Sequence, residues 1–255
     1  LYLSCARVLG CGGEPVNPRV ISAFTEVFHE HAGLPGDVVR PAYGLAEGTL
    51  TTALTPAGQG MRTLRVDARC FQEEGTVTPP GEGRPFLDHV SVGRVVSGHH
   101  VIIADEDGTP LPEGQEGEVL LRGPSVTPGY FNNPAASAEV FRNGFLHTQD
   151  LGYLHEGCLY ITGRTRDLII HNGRNIHPQT IEWVVEQIDG ARKGNVVAVS
   201  VPGAETERIV VVMETRGRGD EALVSRVKTA VQQELLLPVS DVVCLRHGGL
   251  PKTST

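Results

Sequence analysis

Glycine and proline constrain this chain more than any other feature. Its 255 residues hold 31 glycines and 17 prolines, so residues that free or lock the backbone recur throughout, and secondary-structure elements must be short and numerous. Apolar residues make up 40% of the chain, enough to bury a sizeable core in one large domain or two moderate ones. The expectation is a globular α/β or α+β body with many loops.

Charge and apolar patterning exclude several partners. The formal net charge is −8 and no cluster of Lys and Arg stands out, which argues against a nucleic-acid footprint. The longest apolar run, Ile209 to Met213, is far too short to cross a bilayer as a helix, and residues 1–9 are too short for a signal peptide, so a soluble, cytoplasmic protein with no integral membrane segment is expected. Cys5, Cys11, Cys70, Cys158 and Cys244 are scattered without C-x-x-C spacing and are expected to be reduced, mostly buried side chains. His29 and His31, two apart on a helix, face different directions and are assigned no metal.

Along the chain, Ala6–Cys11 reads as a strand running into Gly12-Gly13. Asn17 and Pro18 then open a helix whose apolar residues Val20, Ile21, Phe24, Val27 and Phe28 recur at helical spacing until Gly33. Val38–Tyr43 is the next strand and delivers Tyr43-Gly44-Leu45-Ala46-Glu47 to a strand end, the place where open α/β sheets bind ligands. From Thr55 to His89 prolines and glycines surround one strand-like piece, Thr63–Val66, and this stretch reads as an insertion. Residues 90–165 are β-rich, with Val101–Ala104, Gly117–Arg122 and Leu159–Thr162 the clearest strands and a short helix from Asn133-Pro134 expected to carry Val140-Phe141 to the core. Beyond a joint near Arg164 to Asp167, helices at Pro178–Gln187 and Glu221–Glu234 and strands at Asn195–Val201, Ile209–Glu214 and Val239–Arg246 form a small α+β unit. The division expected is therefore 1–166 and 167–255, with the insertion at about 55–89.

Each candidate motif alone has an ordinary reading. Gly12-Gly13-Glu14-Pro15 is a turn, Tyr43 to Glu47 a strand end with a surface acid, Thr148-Gln149-Asp150 another turn, and Gly163-Arg164 part of a charged hairpin. Their order decides otherwise: GGEP, YGLAE, GEVLLRGPSVTPGY, TQDLGYL, YITGRTRDLIIHNGRNIHPQTIE and LPKTST together resemble the adenylate-forming superfamily, over nearly the whole chain. The fold this implies is the end of a large α/β domain with a β-rich part, followed by a small mobile α+β domain. The activity implied is ATP-dependent conversion of a fatty or other carboxylic acid to acyl-AMP with ATP/AMP and Mg²⁺ as cofactors. By the same resemblance, Gly13, Glu14 and Pro15 line one face of adenine, Tyr43 with Gly44 lies on the other, and Glu47 helps hold Mg²⁺. Asp150 takes the ribose hydroxyls, Arg164 reaches ribose or phosphate, and Asp167 is the hinge. A single carboxylate suits Mg²⁺, which keeps waters and phosphate oxygens as its other ligands. Arg122-Gly123 and Gly129-Tyr130 are taken as structural.

The insertion between Glu47 and Gly93 and the run Gly173 to Gln179 resemble fatty acyl-AMP ligases, which pass the acyl group to an acyl carrier protein. A long-chain acyl-CoA synthetase is the alternative within the family, and a non-catalytic nucleotide- or partner-binding remnant the alternative outside it. Gln149 departs from the family, which has Gly there. No phosphate loop precedes GGEP, and no Gly-Lys follows Lys252-Thr253-Ser254-Thr255, so the chain is expected to be part of a larger enzyme and inactive alone, with Lys252 not the catalytic lysine.

Overall fold

The structure is a computed structural model in which residues 2–203, 207–217 and 219–252 are described. Chain order is β1 (Leu9–Cys11), α1 (Pro18–Ala32), β2 (Val39–Tyr43), β3 (Ala53–Leu54), β4 (Thr63–Asp67), α2 (Ala68–Glu74), β5 (Phe86–Val95), β6 (His100–Ala104), β7 (Gly117–Arg122), α3 (Pro134–Val140), β8 (Phe141–Arg142), β9 (Phe145–His155) and β10 (Cys158–Arg164). There follow β11 (Ile169–His171), β12 (Arg174–Ile176), α4 (Pro178–Val185), β13 (Ala191–Val201), β14 (Arg208–Thr215), α5 (Glu221–Leu235) and β15 (Val239–Leu245). The chain divides into two compact units: residues 1–66 with 88–166, and residues 67–87 with 167–255.

The first unit is built on a ten-stranded sheet ordered β1-β2-β3-β5-β10-β9-β7-β6, with β4 beside β5 and β8 beside β9. β1 and β2 run parallel, and the connection between them is α1. Local chemistry fixes both ends of that helix. Asn17 accepts the Arg19 amide at 3.0 Å, Pro18 needs no donor in the first turn, and Gly33 at φ 67 stops the helix while its N–H bonds back to the His29 carbonyl. Ile21 and Phe28 pack on the buried cluster Leu34, Val38 and Val39, whereas Val20, Phe24 and Val27 stay exposed. Across the sheet Tyr43, Ala53, Val92, Ile103, Val119 and Leu159 form a second core cluster. The short helix α3, capped by Asn133 as its sequence suggests, buries none of its residues and leaves Phe141 only half-buried, so it lies on the surface and does not carry Val140-Phe141 into the core.

The second unit has a three-stranded sheet, β13-β14-β15, antiparallel then parallel, with α5 crossing between the parallel pair and α4 packed on β13. Leu223, Val227, Val231 and Leu235, at helical spacing, form the buried stripe of α5. The stretch 67–87 belongs to this unit. Asp67 caps α2 by accepting the Arg69 and Cys70 amides, each at 3.0 Å, and Gly75 at φ 66 ends it. Phe71 is 1% exposed and its ring lies 6.4 Å from that of His177. Gln72 accepts from Arg174, whose guanidinium also donates to the Leu235 and Leu236 carbonyls. The sequence shows apolar residues of this stretch at Thr63–Val66 and Phe86-Leu87, and Val66 and Leu87 are indeed buried; to these the structure adds Phe71, on a helix too short for its periodicity to register.

All five cysteines are free, but Cys158 alone is buried, Cys5 is exposed, and Cys11, Cys70 and Cys244 are intermediate. The expectation of mostly buried thiols is corrected: each of the other four sits near a loop or an element end, where strand or helix packing does not enclose it. Among the described residues no helix is long and apolar enough to cross a membrane.

Candidate active site

The parallel pair β1 and β2 brings two predicted segments to one end of the sheet. Leu9, Gly10 and Cys11 pair with Val39, Arg40 and Pro41, so Gly12 to Pro15 and Tyr43 to Glu47 leave their strands side by side. Backbone approach here is too close for a side chain: a Cβ on Gly12 would lie 2.4 Å from the Ala42 carbonyl oxygen, and one on Gly44 would lie 1.5 Å from that of Leu50. Gly13 at φ 88 turns the first loop outward, leaving Glu14 and Pro15 exposed at the strand ends, where α/β sheets take ligands.

Three of the predicted site residues meet directly. The Tyr43 hydroxyl donates to Asp150 Oδ2 at 2.5 Å, and Arg164 Nε donates to Oδ1 at 3.0 Å. Asp150 is buried while Arg164 is half exposed. Burial raises the Asp150 pKa, and the Tyr43 hydrogen bond and the Arg164 charge pull it back down. The Tyr43 phenol is pushed far above its ordinary value by burial and then by the adjacent carboxylate. Each Asp150 oxygen retains a second lone pair, so the anchored carboxylate can still accept two further hydrogen bonds.

Glu47 stands in the short turn Ala46–Gly48 and is clasped by the loop after β7. Tyr130 donates its hydroxyl to Glu47 Oε1 at 2.7 Å, and the Thr127 amide donates to the Glu47 carbonyl at 2.8 Å. Ser125 Oγ donates to the Gly48 carbonyl, and Thr49 Oγ1 to that of Ser125, both at 2.8 Å. The hydrogen bond to Glu47 is the first cause of the raised Tyr130 pKa. Sequence reasoning took Gly129-Tyr130 as structural; the structure puts the hydroxyl on the predicted metal ligand, a link across 83 positions that no local pattern signals. Among the described residues no group of three or more His, Cys, Asp or Glu could hold a metal. Glu47 Oε2 has no hydrogen-bond partner among them, an arrangement suited to an ion that draws its other ligands from water and phosphate.

Asp167 ends the turn Thr165–Asp167, and the chain passes between its two units at Arg166 and Asp167. Lys252 Nζ donates to the Gly194 carbonyl at 3.3 Å, while Thr253, Ser254 and Thr255 lie outside the described residues.

Residues 2–131 match the family described as AMP-binding enzyme. A putative acyl-CoA synthetase of Caulobacter vibrioides is 36% identical over 84% of this chain and 38% of its own length. A 4-hydroxyphenylalkanoate adenylyltransferase of Mycobacterium tuberculosis is 32% identical over the whole chain and 44% of its own length. Among solved structures, one from a study of fatty acyl-adenylate ligases from E. coli and L. pneumophila superposes with a TM-score of 0.90 at 34% identity, covering all of this chain and 46% of the other. The chain thus spans less than half the length of these relatives.

Proposed function

The chain belongs to the AMP-binding enzyme family, and on that premise we propose that it carries the nucleotide-handling part of a cytoplasmic enzyme that activates a fatty or other carboxylic acid as its acyl adenylate. In that reaction a carboxylate oxygen attacks the α-phosphorus of ATP. The new acyl–O–P bond forms as the bond from the α-phosphorus to the bridging oxygen breaks, and its electron pair leaves on pyrophosphate. Little acid–base work is needed, so the protein contributes by positioning and by charge.

The observation that carries this reading is the buried Asp150 held between Tyr43 and Arg164 at the strand ends. Its remaining lone pairs suit the two ribose hydroxyls, Arg164 keeps its Nη donors for a ribose or phosphate oxygen, and the Gly13-Glu14-Pro15 loop beside Tyr43 and Gly44 suits the base. Glu47 would hold magnesium, which when bound neutralises phosphate charge, while Tyr130 keeps the Glu47 carboxylate in one orientation. Asp167 would be the hinge between the units.

An acyl carrier protein is the acceptor favoured over CoA. The observation supporting this is that residues 67–87 pack with residues 167–252 through Phe71 and the Gln72–Arg174 hydrogen bond, which gives the insertion a hold on the unit expected to move. The test of the nucleotide assignment is ATP–pyrophosphate exchange by the full-length protein. Asp150→Ala removes charge-assisted hydrogen bonds worth about 1.5–3 kcal/mol each, so KM for ATP should rise by about tenfold or more. An unchanged KM across fatty acids of different length would refute it.

A further inference from the structure

The β7–β9 ladder breaks next to Asp150. Glu118 pairs with Leu151 and Leu120 with His147, so Thr148, Gln149 and Asp150 lie opposite Val119 alone. A bulge of this kind takes backbone groups off the ladder and re-aims the side chains beside it. Gln149 sits at φ 61, in the left-handed region that disfavours any residue with a Cβ, and its side chain is exposed, so burial does not compensate. The bulge must be held by its neighbours.

Those holds are specific. The Gln149 amide donates to Glu118 Oε1 at 3.0 Å, and Glu118 Oε2 lies 3.0 Å from His147 Nδ1. His147 Nδ1 lies 3.0 Å from Arg142 Nη2 as well, so it donates to Glu118 when it carries a proton and accepts from Arg142 when it does not. Thr148 Oγ1 donates to the Val119 carbonyl at 2.7 Å and accepts the Asp150 amide at 3.1 Å. On the other flank Thr165 Oγ1 donates to the Gln149 carbonyl at 3.3 Å. Of these partners only Glu118 brings a charged acceptor to the amide of the strained residue, which is the position the backbone would relax first.

We propose that Glu118 is a positioning residue of the nucleotide site: by accepting the Gln149 amide it holds the bulge that aims the Asp150 carboxylate, and so it acts on the ribose hydroxyls through Asp150. The inference rests on the assignment of Asp150 to the ribose. It differs from a general folding role in one respect, since its effect must depend on the ribose hydroxyls being present.

The experiment measures nucleotide binding to the full-length protein by calorimetry, with ATP and with 2′,3′-dideoxy-ATP. Glu118→Ala should weaken ATP binding about tenfold, the scale of one charge-assisted hydrogen bond, and leave dideoxy-ATP binding unchanged. Glu118→Gln, which keeps a neutral acceptor, should recover part of the loss. If Glu118→Ala does not fold, Glu118→Gln runs the same comparison, with a loss of about two- to fivefold confined to ATP expected for a neutral acceptor. Equal losses for both nucleotides, or no loss with ATP, would overturn the positioning role. Asp150→Ala run alongside separates the two claims: if it binds ATP as the wild type does, the ribose assignment falls, whereas a weakened Asp150→Ala beside an unaffected Glu118 variant removes this inference alone.

Discussion

Replacing Phe71 by alanine should release the stretch 67–87 from the second unit without unfolding that unit. Phe71 is 1% exposed, and truncation of a fully buried Phe costs about 3–5 kcal/mol in lost transfer energy and cavity formation. The Gln72–Arg174 hydrogen bond, worth about 1 kcal/mol, remains as a hold, and the Asp67 cap keeps α2 helical without touching residues 167–252. The docked-to-released ratio should therefore fall by on the order of a hundredfold to a few thousandfold, since each 1.4 kcal/mol is a factor of ten. Hydrogen exchange reads this directly. The Gly75 amide, bonded to the Phe71 carbonyl, should exchange faster by that factor, while Val211 and Met213 in the central strand β14 keep their protection. In the full-length protein supplied with CoA, acyl-CoA should then appear while adenylation continues. Equal loss of protection in β14 would mean that the segment is an inseparable part of the core, and released segments with no acyl-CoA would refute its role as a restraint.

Three further perturbations follow from the same geometry. Glu182, which accepts the Ala198 amide at 3.0 Å, has its pKa raised to about 7 by burial first, with Glu186 and Asp167 adding to it. Because the folded value lies above the unfolded one, its contribution is fully present below about pH 4.5 and is lost as pH rises through 7, a change of about 3 kcal/mol. Glu182→Gln keeps an acceptor for Ala198, so the difference in unfolding midpoint between it and the wild type should grow in favour of the variant from pH 5 to pH 8; a constant difference would disprove the cause. Tyr130→Phe removes the hydroxyl that fixes Glu47 Oε1, and the magnesium concentration giving half-maximal exchange should rise several-fold, by about 1 kcal/mol for one hydrogen bond, with KM for ATP at saturating magnesium little changed. Gln149→Gly relieves the φ 61 strain at the expense of chain entropy, so urea unfolding should show a net gain of up to about 1 kcal/mol; a loss of that size would mean the Gln149 side chain makes a contact of its own.

Much of the fold was legible because its signals are local. The cap pair Asn17 and Gly33 marks α1, apolar spacing marks α5, and the glycine-flanked runs at Val101–Ala104 and Gly117–Arg122 mark β6 and β7. The predicted site residues could be named from ordered motifs through a family resemblance, and three of them meet at Asp150. What the sequence hid was register and long-range pairing. Val20 and Phe24 lie on the helical pattern of α1 yet stay exposed, because periodicity shows which residues share a face but not which part of that face finds a partner. α2 was missed because seven residues are too few for a period to declare itself, and its helicity rests on Asp67 and on the burial of Phe71. Tyr130 touches Glu47 across 83 positions, Tyr43 touches Asp150 across 107, and Glu118 reaches Gln149 across 31 only because the β7–β9 ladder slips between Glu118 and Leu120. A hydrogen bond forms where two backbones place its atoms within about 3 Å, and residue types alone do not carry that distance; the sheet does.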